Sequence, residues 1–136
     1  MSAVKDTYIA LRSATEGSRD LDIMIAELIG WERRTLRITD TATGSVRERP
    51  QWMKPGTHEP TKVPLYTSDL DDTMILAESV ADGDRIAFSW EADEAHATVS
   101  RSGRISKAPT LELAICVASV LAIAAQEVEK DQSEST

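Results

Sequence analysis

Two groups of basic residues are the side chains in this 136-residue chain best suited to hold an anion. Arg47, Arg49, Lys54 and Lys62 surround Trp52 and His58 in a stretch that also carries Tyr66, and Arg101, Arg104 and Lys107 lie close together around Gly103. A guanidinium fork matches two phosphate oxygens at once, and an aromatic face can stack on a flat ring or a cation. The turn "SRSGR" (100–104) can in addition offer successive backbone N–H groups to an anion. Arg47, Arg49, Trp52, Lys54, His58, Tyr66, Arg101 and Arg104 are therefore the expected ligand contacts. The competing reading of Trp52 is a core aromatic that anchors its own loop.

Catalytic groups are harder to find. A metal site needs three or four convergent ligands at recognisable spacing. His58-Glu59 is an isolated pair, His96 stands alone, and Cys116 lies inside the apolar run "LAICVASVLAIAA" (113–125), where burial disfavours the thiolate. The carboxylates of "SDLDD" (68–72) fit helix capping and dipole pairing. No P-loop, dinucleotide fingerprint or nucleophile elbow is present. The sequence nominates no catalytic residue, metal or cofactor, and binding is the favoured class of function.

Charge narrows the partners. A net charge of −8 opposes general nucleic-acid binding, which needs a basic surface. The charge is segregated, however. Residues 31–64 hold seven Lys/Arg against four acids, residues 65–94 one Arg against nine acids, and residues 95–111 three basic residues and no acid. This pattern predicts a basic face on an acidic body. The single cysteine precludes an internal disulfide and fits a reducing compartment. Residues 1–12 mix charges with apolar groups and do not read as a signal peptide, and the apolar run at 113–125 is shorter than the roughly 20 residues that span a bilayer.

The elements that must position these residues follow from periodicity and punctuation. Val4, Tyr8 and Leu11 mark a helix over 3–14. Ser18 caps a second, which Gly30 stops, with Trp31 folding back on it. "RTLRIT" (34–39) and "GSVRER" (44–49) read as a hairpin with an apolar side of Leu36, Ile38 and Val46 and a basic side of Arg37, Arg47 and Arg49. Pro50–Ser68 holds four of the five prolines, and its "KPGT" is a type II turn candidate. Such a long connection in a compact domain is usually functional, so this segment is the expected rim of a binding site. Ser68 opens a third helix that ends at Gly83. "RIAFSW" and "EAHATVS" are a second hairpin, and Thr110 caps a final helix from 111 to about 130, apolar nearly all round. The order predicts an α+β class with one four-stranded, mainly antiparallel sheet, a single domain over 1–128 and a disordered tail over 129–136.

Three blocks in this order carry a family likeness: "ATEGSRDLDIMIAELIGW" (14–31), "PLYTSDLDDTMIL" (64–76) and "APTLELAICVASVLA" (108–122). They resemble the bacteriophage family named for its fold, the phage ABA sandwich domain. The likeness covers roughly residues 10–125, with Pro109 before Thr110 where many relatives have Thr-Pro, and a longer basic insert at 47–62. It implies a three-layer α/β/α sandwich, phage origin and action in the host bacterial cytoplasm, and it implies no catalytic residues.

Joined to the basic segments, the likeness leads to the expectation of a non-enzymatic counter-defence protein. It would sequester an anionic small molecule such as a linear or cyclic nucleotide immune signal, in a pocket that a homo-oligomer could complete. The alternative is an inhibitor or adaptor that docks its acidic 65–94 face on a host defence protein. A virion accessory is the third reading.

Overall fold

A computed structural model describes residues 3–57, 60–100 and 104–134. Four helices, α1 (Ala3–Ser13), α2 (Arg19–Leu28), α3 (Leu70–Ala81) and α4 (Leu111–Glu134), alternate with strands β1 (Glu32–Thr39), β2 (Val46–Met53), β3 (Ile86–Trp90), β4 (Ala95–Val99) and β5 (Ser106–Ala108). The class is α+β, as expected. The single four-stranded sheet is not what forms. The two hairpins stay apart as an antiparallel pair β1-β2 and an antiparallel sheet β3-β4-β5, whose third strand is too short to announce itself in sequence.

The hub is α4. It packs against α1, α3 and all three strands of the β3-β4-β5 sheet. Every residue from Leu113 to Val120 is buried, which explains why this helix is apolar around its girth. Its apolar window Leu111–Val128 has the length and composition to cross a membrane, yet most of it is covered by the other elements. The helix continues to Glu134, past the expected end near 130 and into the stretch expected to be disordered.

Ala95, Ala97 and Val99 of β4 are buried, while the alternate residues His96 and Thr98 are only partly covered. The polar face of the sheet is open, with Lys107 and His96 both bonded to Glu94 there, at 3.1 and 3.0 Å. Helices on both faces, as a three-layer α/β/α sandwich requires, are not seen among the described residues.

Local signals place the helix ends well. The Ser18 hydroxyl accepts from the Leu21 N–H, and the Thr110 hydroxyl accepts from the Leu113 N–H, both at 3.2 Å. At the end of α2 the Gly30 N–H donates to the Glu27 carbonyl and the Trp31 N–H to the Ala26 carbonyl, the bond pair that closes a helix on a left-handed glycine. The cap of α3 is Asp69, not Ser68: its carboxylate accepts from the N–H groups of Asp71 and Asp72. Ser68 instead belongs to the preceding turn, donating its N–H to the Leu65 carbonyl.

The β1-β2 hairpin is a projecting arm. Its strands pack on each other and make no substantial contact with another helix or strand. All of β1 and the first five residues of β2 are exposed. Thr39 pairs with Val46, so Leu36 lies opposite Arg49 and Ile38 opposite Arg47. Residues directly opposite share a face. The expected division into an apolar and a basic side is therefore wrong. One face mixes Leu36 and Ile38 with Arg47 and Arg49, and Val46 points to solvent on the other at 56% exposure.

Candidate functional site

Where the arm meets the body, the proline-rich segment folds back on itself. Pro50–Met53 complete β2, so the segment begins as strand, with Pro50 opposite Thr35 in a ribbon that has no further strand beside it. The Thr57 N–H donates to the Lys54 carbonyl at 3.1 Å, and Gly56 sits at φ 76, the left-handed position of a type II turn. The chain then returns alongside β2: the Thr61 N–H reaches the Trp52 carbonyl at 2.9 Å, and Met53 bridges Pro60.

Pro64, Leu65, Tyr66 and Thr67 are held by three helices. Buried Asp22 of α2 accepts from the Thr67 N–H (2.8 Å), the Thr67 hydroxyl (2.6 Å) and Arg19 Nη1 (3.0 Å). Arg19 Nη1 also lies 3.3 Å from the Pro64 carbonyl. From α3, Asp72 accepts the Leu65 N–H at 2.8 Å, and the Thr73 hydroxyl donates to the Tyr66 carbonyl at 2.6 Å. From α4, the Cys116 thiol donates to that same carbonyl at 3.1 Å. The three sequence blocks at 14–31, 64–76 and 108–122 thus meet in one buried polar knot. Asp22, Thr67 and Thr73 are its working groups; Asp22 reads locally as an ordinary acid in the first turn of α2, and no spacing singles out the two threonines.

Gly17 is part of this knot. A Cβ there would stand 2.2 Å from the Thr67 carbonyl oxygen, so only glycine lets the two backbones approach.

The knot fixes one wall of a cleft of about 420 Å³. Trp31, Tyr66 and Leu76 form its buried floor, Pro55, Pro64 and Ile75 its sides, and Lys54 and Lys62 its charged rim. The Trp31 and Tyr66 side chains are neighbours on that floor. Burial pushes the Tyr66 phenol above its ordinary range, the nearby Trp31 indole pulls it partly back, and the carboxylates of Asp72 and Asp22 add to the rise. Tyr66 is thus a neutral wall and hydrogen-bonding group. Burial likewise raises the Cys116 thiol, with Asp22 and Glu112 adding, which removes it as a nucleophile.

Two further clefts adjoin. One of about 420 Å³ runs along Arg49, Trp52 and Lys62, and one of about 260 Å³ is lined by Arg34, Glu32 and the turn Lys54–Thr57. Lys62 and Thr61 border both large clefts, and Lys54 and Pro55 border the first and the smallest, so the three form a continuous band around the proline-rich segment. Arg49, Lys54 and Lys62 have no ion-pair partner among the described residues.

Of the expected contacts, Arg49, Trp52, Lys54 and Tyr66 come together on this band. Trp52 is half-buried and packs on the core from the cleft side, so it both anchors and lines. Arg47 lies farther out on the arm, opposite Ile38. Arg104 precedes β5 on the other sheet and lines none of the three clefts, so the two basic segments do not converge through it. His58 and Arg101 lie outside the described residues. Ile29, Ile75 and Ser79, which the sequence did not nominate, complete the cleft from the end of α2 and from α3. Among the described residues no three His, Cys, Asp or Glu side chains gather into a metal-binding group. Comparison with family models, with curated proteins and with solved structures returned no match.

Proposed function

We propose that this chain is a non-enzymatic binding protein that captures an anionic small molecule with a flat apolar portion, a nucleotide being the class that fits best. The observation that carries the reading is a set of cations with no ion-pair partner among the described residues: Lys54 and Lys62 on the rim of a cleft floored by Trp31 and Tyr66, and Arg49 on the adjoining cleft. The cleft lies within the range of about 300–1,000 Å³ usual for small-molecule sites, and its apolar lining with few polar groups is of the usual kind. Lysines at the rim supply charge to a phosphate, and the apolar floor takes a ring system.

The biological setting rests on the resemblance to the phage ABA sandwich domain. In that setting the protein acts in the cytoplasm of an infected bacterium and withdraws a nucleotide immune signal from the host. Sequestration needs a tight, pre-formed cleft and no catalytic group.

A thermal-shift panel of linear and cyclic nucleotides tests the reading. A ligand at 100 times its Kd stabilises the fold by about 2.7 kcal/mol, a shift of several degrees. The Lys54→Ala/Lys62→Ala protein should lose that shift while its unliganded melting temperature stays put. Failure of every nucleotide to stabilise the protein at high micromolar concentration would overturn the proposal.

A further inference from the structure

The projecting arm has a counterpart on the body of its own chain. Residues 32–54 hold six basic residues against three acids, and the rest of the chain nine against twenty. The arm is thus a +3 ribbon attached to a body of −11. One face of the arm combines exposed Leu36 and Ile38 with the Arg49 and Arg47 that lie opposite them.

On the body, a separate cleft of about 360 Å³ opens between the start of α3, the β3–β4 turn and the start of α4. Leu70, Trp90, Pro109 and Leu111 give it apolar walls, Glu91 and Glu112 give it charge, and no basic residue lines it among the described residues. Trp90 is 65% exposed although it shares a face of the sheet with buried Ala95. It stands there because β3 is an edge strand, and Phe88, two residues earlier, is exposed beside it with ring centres 6.5 Å apart. Exposed aromatics within a larger apolar patch mark interaction surfaces.

We propose that this cleft receives the arm of a second copy of the chain, so that two molecules exchange arms in a symmetric dimer. Apolar side chains flanked by arginines meet apolar walls flanked by glutamates, and the complementarity is already encoded within one sequence. Exchange is reciprocal under two-fold symmetry, so each contact is made twice. A ribbon of eight-residue strands is about 26 Å long and about 10 Å wide, so two such contacts bury on the order of 1,000 Å². That area is the lower limit for a specific interface, and the dimer should dissociate in the micromolar range. Charge pairing across an exposed ribbon makes it salt-sensitive. The two readings share Arg49, but Ile38, Arg47, Phe88 and Trp90, the residues changed in the test below, line none of the three clefts of the ligand band, so the dimer can fail or hold separately from the nucleotide reading.

Sedimentation velocity over a concentration series, at low and at high salt, measures the association. Two variants are made, Ile38→Asp/Arg47→Glu on the arm and Phe88→Ser/Trp90→Ser on the body, with circular dichroism confirming that each folds. The wild type should dimerise at tens of micromolar in low salt and shift toward monomer at about 0.5 M salt. Each variant should weaken the dimer at least tenfold, and a mixture of the two should recover a heterodimer, because it restores one intact arm–body contact. Either of two results overturns the proposal: a wild type that stays monomeric at low salt, or a dimer that both variants leave intact. So does a monomeric wild type whose arm instead retains a duplex oligonucleotide, since a two-stranded ribbon also fits a DNA groove.

Discussion

Replacing Asp22 with alanine tests whether the buried knot holds the cleft wall in place. The carboxylate is fully buried and accepts from the Thr67 N–H at 2.8 Å, the Thr67 hydroxyl at 2.6 Å and Arg19 at 3.0 Å. Alanine strands the Thr67 N–H, whose residue is itself buried, and leaves the hydroxyl to a single remaining acceptor, the Ser18 carbonyl at 3.1 Å. Each buried donor left without its charged acceptor costs about 1–3 kcal/mol. Arg19 is 42% exposed at its side chain and can turn to water, so its loss is about 1 kcal/mol at most. The expected total is about 3–5 kcal/mol, or a fall in Tm of roughly 10–15 °C for a domain of this size.

Asp22→Asn keeps the Oδ1 acceptor for Thr67 and spoils only the Arg19 contact, so it should cost about 1 kcal/mol or less. Urea unfolding followed by tryptophan fluorescence reads both variants, and a cycle with Thr67→Val should give a coupling of about 1–2 kcal/mol. An alanine variant within 1 kcal/mol of wild type, or an asparagine variant as damaged as alanine, would refute the reasoning.

Three further outcomes follow from the same geometry. Gly17→Ala should fail to fold or lose several kcal/mol in urea titration, because its Cβ would meet Thr67 backbone at 2.2 Å and neither chain can give way. Thr110→Ala removes the hydroxyl that accepts from the Leu113 N–H and should lower stability by about 1 kcal/mol in the same titration. Alkaline stability should fall because burial raises both the Cys116 thiol and the Tyr66 phenol above their ordinary values of 9.0 and 10.0. Their protonated forms are favoured in the folded state, so stability is intact below the unfolded pKa and declines as pH rises past it. The thiol alone takes about 1.4 kcal/mol per pH unit above 9, and Tyr66 adds to this above 10. Cys116→Ala should flatten the decline between pH 9 and 10 in denaturant titrations at stepped pH, and an unchanged slope would contradict the assignment.

What was legible in the sequence was local. Ser18, Gly30 and Thr110 act within one turn of their own residue, so their roles needed no knowledge of the rest of the chain. The Ser68–Asp69 difference is of the same kind, a one-residue shift between two capping groups that each suit the role. The faces of the arm were not legible, because alternation sorts residues within a strand and says nothing about the strand opposite. That depends on the loop. Asp40–Ser45 places an even number of residues between paired Thr39 and Val46, which sets even positions of one strand against odd positions of the other.

The single sheet failed for a related reason, since periodicity identifies strands but not whether two hairpins join edge to edge. For the site, the sequence pointed to the segment from Pro50 to Ser68, where prolines, aromatics and lysines accumulate without regular periodicity. It could not supply Ile29, Ile75 and Ser79, which read as ordinary helix residues until α2 and α3 bring them to the cleft. Nor could it show that Arg104 belongs to a different sheet.

The most direct test of the ligand-binding account is an isothermal titration of the best-stabilising nucleotide into wild type and into Lys62→Ala. Lys62 borders both large clefts, is exposed and has no ion-pair partner among the described residues, so its loss should leave stability within about 0.5 kcal/mol. The account predicts one site per chain and at least a tenfold weaker Kd for the variant. An affinity that Lys62→Ala leaves unchanged would contradict it.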